Sequence, residues 1–193
     1  MRFRTIPIRV SCMVRSTEPV VIVTGGSRGT GREIAGKLAT RDYAVVVVYL
    51  SDQAEAEATV EEILAADGTA LAVRADVCDE LDVERLFSET AAAFGGVDVV
   101  VHGAGRGASI VNQQAARWLR HRGAIVNPSS ADVVAPALVA ELESRDITVN
   151  GLAPGVEPPG PDHDVAELLR ILDRWRSSRG ERGGPGRSRG QGV

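Results

Sequence analysis

The sequence predicts an α/β protein with one doubly wound parallel sheet of about six strands and helices on both faces. Short β-branched runs alternate with amphipathic helical segments, which is the pattern of a parallel sheet with right-handed crossovers. Of the 193 residues, 44% are hydrophobic but only 4% are aromatic. The core must therefore consist of Val, Ala, Leu and Ile, as in sheets buried on both faces. A glycine cluster follows the first apolar run, an order typical of nucleotide-binding folds.

Six segments are predicted as strands because each is short, apolar and bounded by turn residues. In chain order they are Val20–Thr24, Ala44–Tyr49, Leu71–Ala75, Val97–His102, Ala124–Asn127 and Ile147–Leu152. The connections between the fourth and fifth strands and between the fifth and sixth strands each exceed the roughly ten residues that a parallel crossover needs. All six strands can therefore lie parallel.

The first two helices are predicted from their ends and their apolar stripes. The first runs from Gly29 to about Thr40, and Ser51 or Asp52 can cap the second, with Gly68 at its C-terminal end. The apolar stripe of the second helix consists of Ala56, Val60, Ile63 and Leu64.

Four further helices follow by the same reasoning. Asp79 can cap the third and Gly95-Gly96 ends it. The fourth spans Val111–Arg122 and ends at Gly123, and the fifth spans Ala137–Ser144. The buried face of the third helix consists of Val83, Leu86, Phe87 and Phe94, and that of the sixth of Val165, Leu168, Leu169 and Leu172.

Charge divides the chain into three parts. Residues 1–17 carry +4 and residues 174–193 carry +5, so the body between them carries −13 for a net charge of −4. The predicted organisation is a basic, disordered extension over 1–18, a single domain over 19–177 and an Arg/Gly-rich disordered tail over 178–193. An acidic body repels a nucleic-acid backbone, so we expect no nucleic-acid partner.

Composition also favours a cytoplasmic protein without a membrane or metal site. Cys12 and Cys78 lie far apart and have neither CxxC spacing nor neighbouring metal ligands. No apolar run approaches the roughly 18 residues of a membrane span. Four arginines interrupt the N-terminal apolar stretches, namely Arg2, Arg4, Arg9 and Arg15, which argues against a secretory signal.

The glycine cluster has the spacing Thr24-Gly25-x-x-x-Gly29-x-Gly31. Glycines let a ligand approach the backbone, and free N–H groups with the helix dipole attract a diphosphate. The spacing differs from Gly-x-Gly-x-x-Gly and lacks the Gly-Lys-Ser/Thr of a P-loop. Turn glycines without a ligand are the alternative interpretation.

Further motifs follow in order, and together they resemble the short-chain dehydrogenase/reductase family, above all its 3-oxoacyl-acyl-carrier-protein reductases, over about Val20–Gly155. Asp76-Val77 stands where the family has Asp-Val, and His102–Gly105 where it has Asn-Asn-Ala-Gly. Val126–Ser130 matches an apolar-Asn-apolar-Ser-Ser run, and Asn150–Gly155 matches Asn-x-x-x-Pro-Gly.

The resemblance implies a Rossmann-type fold with a dinucleotide site. Gly25, Gly29 and Gly31 would form the pyrophosphate turn, and Asp76 would contact the adenine. An ordinary strand end at Asp76 and a plain turn at Pro154-Gly155 remain alternatives. The implied cofactor-binding residues are Thr24, Gly25, Ser27, Arg28, Gly29, Thr30, Gly31, Tyr49, Ser51, Asp76, Val77, Gly103, Ala104, Gly105, Pro154 and Gly155.

Charge near the second strand favours NADP(H) over NAD(H). The strand ends Val48-Tyr49-Leu50-Ser51, without the carboxylate that binds the ribose hydroxyls in NAD sites. Arg28 offers a cation for the 2′-phosphate, and Ser51 offers a hydroxyl donor. Asp52 argues against this choice, and an Arg28 that is only an exposed turn residue is the alternative.

Hydride transfer to a carbonyl needs a proton donor beside the developing alkoxide. The family supplies it with a Tyr-x-x-x-Lys pair, helped by a serine and an asparagine. This chain has two tyrosines and one lysine. Tyr43 and Tyr49 flank the second strand near the expected adenosine end, and Lys37 lies on the first helix, so none is expected to serve.

The segment that would carry the pair is missing after Ser130. Another piece is missing between Gly105 and Gly123, with most of the fourth crossover and the family's usual asparagine. Ser130 matches the substrate-orienting serine, with an ordinary cap or turn residue as the alternative. Asn112 is a candidate remnant of the family's asparagine, and His102 is a candidate substitute acid or a structural residue.

The sequence thus predicts an NADP(H)-dependent oxidoreductase that reduces a 3-oxoacyl-like carbonyl or oxidises the alcohol, strongly impaired by the missing pair. A non-catalytic NADP(H)-binding or protein-interaction homologue and a degenerate product are the alternatives. The implied partners are the dinucleotide and a small carbonyl compound. Oligomerisation stays open because the family's interface helices are shortened here.

Overall fold

A computed structural model of the chain describes residues 17–103, 107–127, 136–151 and 161–180. These residues form one sheet and six helices. The strands are β1 Val20–Thr24, β2 Ala44–Tyr49, β3 Thr69–Arg74, β4 Val97–His102, β5 Leu119–Asn127 and β6 Thr148–Gly151. The helices are α1 Gly29–Ala39, α2 Gln53–Ala65, α3 Glu80–Phe94, α4 Ala108–Trp118, α5 Pro136–Ser144 and α6 Pro161–Ser178.

All neighbouring strands pair in parallel, in the order β3-β2-β1-β4-β5-β6. The predicted doubly wound, Rossmann-type sheet is therefore confirmed. Residues 1–16 and 181–193 lie outside the described ranges, so the disorder expected at both ends stays a prediction.

Alternate side chains along β1 to β5 enter two separate core layers, as strand geometry requires. Val21 and Val23 of β1 pack with α1, α2 and α6, while Ile22 between them packs with α3, α4 and α5. All five residues of β1 are buried. Burial on both faces explains why the central strands are continuous apolar runs rather than alternating ones.

The end of α4 differs from the prediction. The helix stops at Trp118 rather than Arg122, and β5 already begins at Leu119, which pairs with Val97 of β4. Arg122 has a φ of 63°, which a helix does not allow. The side chain of Arg145 donates to the carbonyls of Ala116 and Leu119 and so satisfies the end of α4.

Two details of α2 also differ. Asp52 holds the N-cap position, but its side chain makes no capping bond. Leu64 is 48% exposed, so the apolar stripe is narrower than predicted. Asp67, with a φ of 60°, takes the left-handed position, so the prediction of the C-terminal cap at Gly68 is wrong by one residue. Strands β3 and β6 and helix α5 shift by one or two residues at their ends, as is usual for element boundaries.

The predicted ends of α3 are confirmed. The carboxylate of Asp79 accepts hydrogen bonds from the N–H groups of Leu81 and Asp82, and Gly95 ends the helix with a φ of 82°.

Helix α6 is fixed at its C-terminal end, where Trp175 stacks on Tyr43 with ring centroids 6.4 Å apart. Trp175 also donates to the carbonyl of Arg122 at 2.8 Å. In the described part of the chain, no helix is both long and apolar enough to cross a membrane.

Candidate functional site

The site lies at the carboxyl ends of β1 and β4, where the strand order reverses direction. Ligands of open α/β sheets bind at this crevice. Residues 25–28 turn the chain from β1 into α1, and Gly103 follows β4 directly. The structure thus brings the glycine cluster and the start of the His102–Gly105 motif side by side, with Thr24 and His102 in register.

Three glycines allow the tight turn, two through their positive φ and one because a side chain has no space there. Gly25 and Gly29 have φ values of 67° and 53°, which glycine adopts without strain. A Cβ on Gly31 would lie well under 3.0 Å from the carbonyl oxygen of Gly25, and one on Gly103 would lie 2.7 Å from that of Thr24. The backbone therefore packs on itself as a ligand-binding turn requires.

The start of α1 is left open toward this turn. A Cβ on Gly29 would meet no atom within 4 Å. Arg28 is the N-cap residue of α1, but its side chain makes no capping hydrogen bond to the helix. The first turn of α1 contains no acidic residue, and Thr30 in this turn is half-buried. The N–H groups and positive dipole of this helix end are therefore not neutralised by its own side chains, which suits a diphosphate.

Two hydroxyl contacts hold the turn in place. Thr24 Oγ1 lies 3.0 Å from His102 Nδ1, and both residues are buried. Thr59 Oγ1 of α2 donates to the carbonyl of Glu55 at 2.8 Å and lies 3.4 Å from the carbonyl of Ser27, and Ser27 is also buried. The turn is thus tied to β4 on one side and to α2 on the other.

The groups expected to choose the cofactor lie between β2 and α2. Arg28 forms an ion pair with Asp52, and its Nε lies 3.7 Å from a Glu55 oxygen. Ser51 Oγ donates to Asp52 Oδ2 at 3.0 Å. Arg28 and Ser51 therefore both contact one carboxylate of the chain itself.

Tyr49 is the last residue of β2, two positions before Ser51. Burial raises the pKa of the Tyr49 phenol, and the charge of Glu57 raises it further, while Arg74 lowers it. A raised pKa keeps the phenol protonated, so Tyr49 can donate a hydrogen bond but is a poorer proton donor than an activated tyrosine.

Asp76 and Val77 form the turn after β3. Asp76 Oδ1 accepts from the N–H of Cys78 at 2.9 Å, and the N–H of Asp76 donates to Asp82 at 3.0 Å. Gly107, with a φ of 80°, packs so closely on the Val77 carbonyl that a side chain is excluded. Asp76 therefore shapes its own turn at the carboxyl end of β3.

Sequence reasoning missed the support of this turn. The guanidinium of Arg85 hydrogen-bonds Asp82 at 2.7 Å and lowers the pKa of that carboxyl, and the N–H of Asp76 lowers it further. Arg85 also donates to the carbonyl of Arg74 at 3.0 Å. The three-residue spacing of an acid and an arginine in the first turns of α3 could have indicated this pair.

The placement of Tyr43 corrects the prediction. Tyr43 precedes β2 at the amino end of the sheet, opposite the glycine turn, because the strands are parallel and β2 begins at Ala44. Lys37, near the C-terminal end of α1, pairs with Glu33 at 2.8 Å. Neither residue is near the candidate site.

Two buried asparagines lie in the layer of α3, α4 and α5. Asn112 lies on α4, and Asn127 ends β5 next to His102. Their Oδ1 atoms have no hydrogen-bond partner in the described part of the protein. Ala104, Gly105, Ser130, Pro154 and Gly155 lie outside the described residues, so their predicted roles stay predictions.

No group of three His, Cys, Asp or Glu among the described residues could hold a metal ion. The described residues at this sheet end offer backbone N–H groups, the Arg28 guanidinium and hydroxyl groups, a set of donors that suits an anion.

Comparison with known proteins agrees with this geometry. The family described as short chain dehydrogenase matches residues 19–122. The 3-oxoacyl-[acyl-carrier-protein] reductase FabG of Staphylococcus aureus is 34% identical, over 69% of this chain and 72% of its own. The same enzyme of Staphylococcus epidermidis is 33% identical, over 69% and 73%.

Solved structures show the same fold. A short chain dehydrogenase of Burkholderia cenocepacia in complex with NADP has a TM-score of 0.67 at 24% identity, covering 82% of this chain and 92% of its own. A dehydrogenase/reductase of Sinorhizobium meliloti has a TM-score of 0.60 at 26% identity, covering 82% and 87%.

The alignment with the Staphylococcus aureus reductase also shows that this chain is shorter within the matched region. The alignment is 178 positions long but includes only 69% of this chain, which is about 133 of its 193 residues. About 45 aligned positions therefore have no residue here, which agrees with the internal shortening inferred from the motifs.

Proposed function

The chain belongs to the short-chain dehydrogenase/reductase family, and from that premise we propose that it binds NADP(H) at the carboxyl ends of β1 and β4 but is strongly impaired in hydride transfer. The observation that carries the proposal is the glycine turn, in which Gly31 packs against the Gly25 carbonyl while the space beside Gly29 stays open. This geometry fits a pyrophosphate held by backbone N–H groups.

NADP(H) is the favoured dinucleotide because Arg28 and Ser51 lie together at the end of β2. A guanidinium and a hydroxyl suit a 2′-phosphate. A fold relative in complex with NADP supports this choice. When bound, NADPH would supply the hydride, and Asp76 would receive the adenine at the end of β3.

The proposal that hydride transfer is impaired is supported by the chain's own residues. Its only lysine and Tyr43 lie at the opposite end of the sheet, and the pKa of Tyr49 is raised rather than lowered. General acid catalysis contributes about 10²- to 10⁴-fold. Reduction of a 3-oxoacyl-like carbonyl, the substrate class named for the curated relatives, would therefore be slow.

The test is a fluorescence titration with NADPH, followed by an assay of NADPH oxidation with a 3-oxoacyl thioester. We expect saturable binding with little or no turnover. Gly29→Asp should abolish binding because it adds a charge and a side chain beside the pyrophosphate at positive φ. Rapid NADPH oxidation would contradict the impairment. No binding together with a non-cooperative melt would instead favour a degenerate product.

A further inference from the structure

One carboxylate oxygen of Asp52 holds both groups that the cofactor's 2′-phosphate would need. Asp52 Oδ2 accepts from Ser51 Oγ at 3.0 Å and pairs with Nη2 of Arg28. An anion thus already occupies the position between hydroxyl and guanidinium. Because a phosphate oxygen would make the same two contacts, carboxylate and phosphate compete for one place.

The same side chain leaves its own helix uncapped. Asp52 is the N-cap residue of α2 but makes no side-chain bond to the helix, whereas Asp79 caps α3 with two. Aspartate is among the best N-cap residues, and the first N–H groups of α2 have no partner within the helix. Asp52 therefore has a second set of partners within reach of its own side chain.

The geometry points to Asp52 as an internal stand-in for the 2′-phosphate, which leaves Arg28 and caps α2 when a 2′-phosphate binds. This inference rests on the proposed NADP(H) function and concerns how that site is regulated. The chain's affinity for 2′-phosphorylated ligands is accordingly set below what Arg28 and Ser51 alone would give.

Because the side chains of Arg28 and Asp52 are both partly exposed, Asp52 can exchange Arg28 for the first N–H groups of α2. The side chain of Arg28 is 60% exposed and that of Asp52 is 30% exposed, so water and salt screen their ion pair. The cap gained on α2 offsets part of its loss. The Glu55 carboxylate lies 3.7 Å from Nε of Arg28 and adds a second, more distant negative charge beside the guanidinium.

The experiment measures dissociation constants of two pairs of ligands by calorimetry: NADPH against NADH, and adenosine 2′,5′-bisphosphate against AMP. The variants are Asp52→Asn, which keeps the ability to cap but removes the charge, and Glu55→Gln. Glu57→Gln is the matched control, because this acid lies on the same helix and bonds Gln53 rather than Arg28.

Asp52→Asn should tighten both 2′-phosphorylated ligands about tenfold and change NADH and AMP less than about twofold. Glu55→Gln should tighten the same two ligands about threefold, and Glu57→Gln should change none. An unchanged NADPH to NADH ratio in Asp52→Asn would overturn the inference, as would weaker NADH binding, which would make Asp52 a ribose ligand. If no dinucleotide binds any folded variant, the proposed function itself fails.

Discussion

Gly31 shows how one missing atom permits the turn. Its Cα faces the Gly25 carbonyl so closely that a methyl group would overlap it, whereas a methyl group on Gly36, one turn and a half later on α1, would meet nothing within 4 Å. The same helix thus contains a glycine needed for close approach and one that is not.

Gly31→Ala should therefore abolish NADPH binding and cost about 1–3 kcal/mol of unfolding free energy, because the backbone of the turn must move. Gly36→Ala should keep binding and stabilise α1 by about 0.5–1 kcal/mol. Urea denaturation and NADPH titration of both variants measure this. Equal behaviour of the two would show that the turn is not packed as described.

Asp82 makes the stability of the β3 to α3 turn depend on pH. Its pKa is lowered from the ordinary 3.8, first by the hydrogen bond from Arg85 and then by the N–H of Asp76. A lowered folded-state pKa stabilises the fold above pH 3.8, and this contribution is lost as the pH falls through the folded value.

Asp82→Asn should thus melt at a lower temperature than the parent at pH 7, and the difference should shrink below about pH 4. Melting curves between pH 7 and pH 3 test this. Glu84→Gln is the control, since this exposed acid lies on the same helix. A difference that persists undiminished at pH 3 would assign the effect of Asp82 to lost packing.

Elements whose signals are local could be predicted, and those decided by distant partners could not. Asp79 and Gly95 determine α3 within its own sequence, and the glycine turn is equally local. The end of α4 instead depends on Leu119 pairing with Val97 and on Arg145, both distant in sequence.

The same distinction holds in the candidate site. The composition of the turn predicted a nucleotide site, and the spaced motifs predicted the family. The sequence could not show that Asp52 would leave its own helix for Arg28, because this choice depends on how α1 and α2 pack side by side. Nor could it show that Tyr43 would stack on Trp175 at the far end of the sheet.

Asp98 joins four elements through one buried carboxylate. It lies on β4 and is 1% exposed, and it accepts from the N–H of Val20 on β1 at 2.9 Å. Arg120 of β5 donates to it at 2.7 Å, and Arg179, just after α6, donates at 3.2 Å. These contacts close the amino end of the sheet, opposite the nucleotide site.

Asp98→Ala should cost about 3–5 kcal/mol of unfolding free energy, because it leaves two guanidinium groups and a strand N–H without their acceptor. NADPH affinity of the folded fraction should stay within about threefold, since the glycine turn lies at the other end of β1. Chemical denaturation and NADPH titration measure the two effects. A loss below about 1 kcal/mol would show that solvent replaces the carboxylate.

At the scale of the whole molecule, two core layers share one sheet. Helices α1, α2 and α6 form one layer, and α3, α4 and α5 form the other. Each layer contains one of the chain's two tryptophans: Trp175 is buried in the first, and Trp118 is partly buried in the second. Because strands β1 to β5 contribute side chains to both layers, neither layer can lose its packing without exposing the other.

We therefore expect one cooperative transition for both layers. Trp118→Phe and Trp175→Phe each leave a single fluorescent reporter, and the two melts should agree with each other and with circular dichroism, after allowing for the stability cost of each substitution. NADPH at about 100 times its dissociation constant should add about 2.7 kcal/mol, which raises both midpoints by about 5–10 °C. An earlier transition of Trp175, or a shift confined to one reporter, would mean that α6 unfolds apart from the nucleotide-binding sheet.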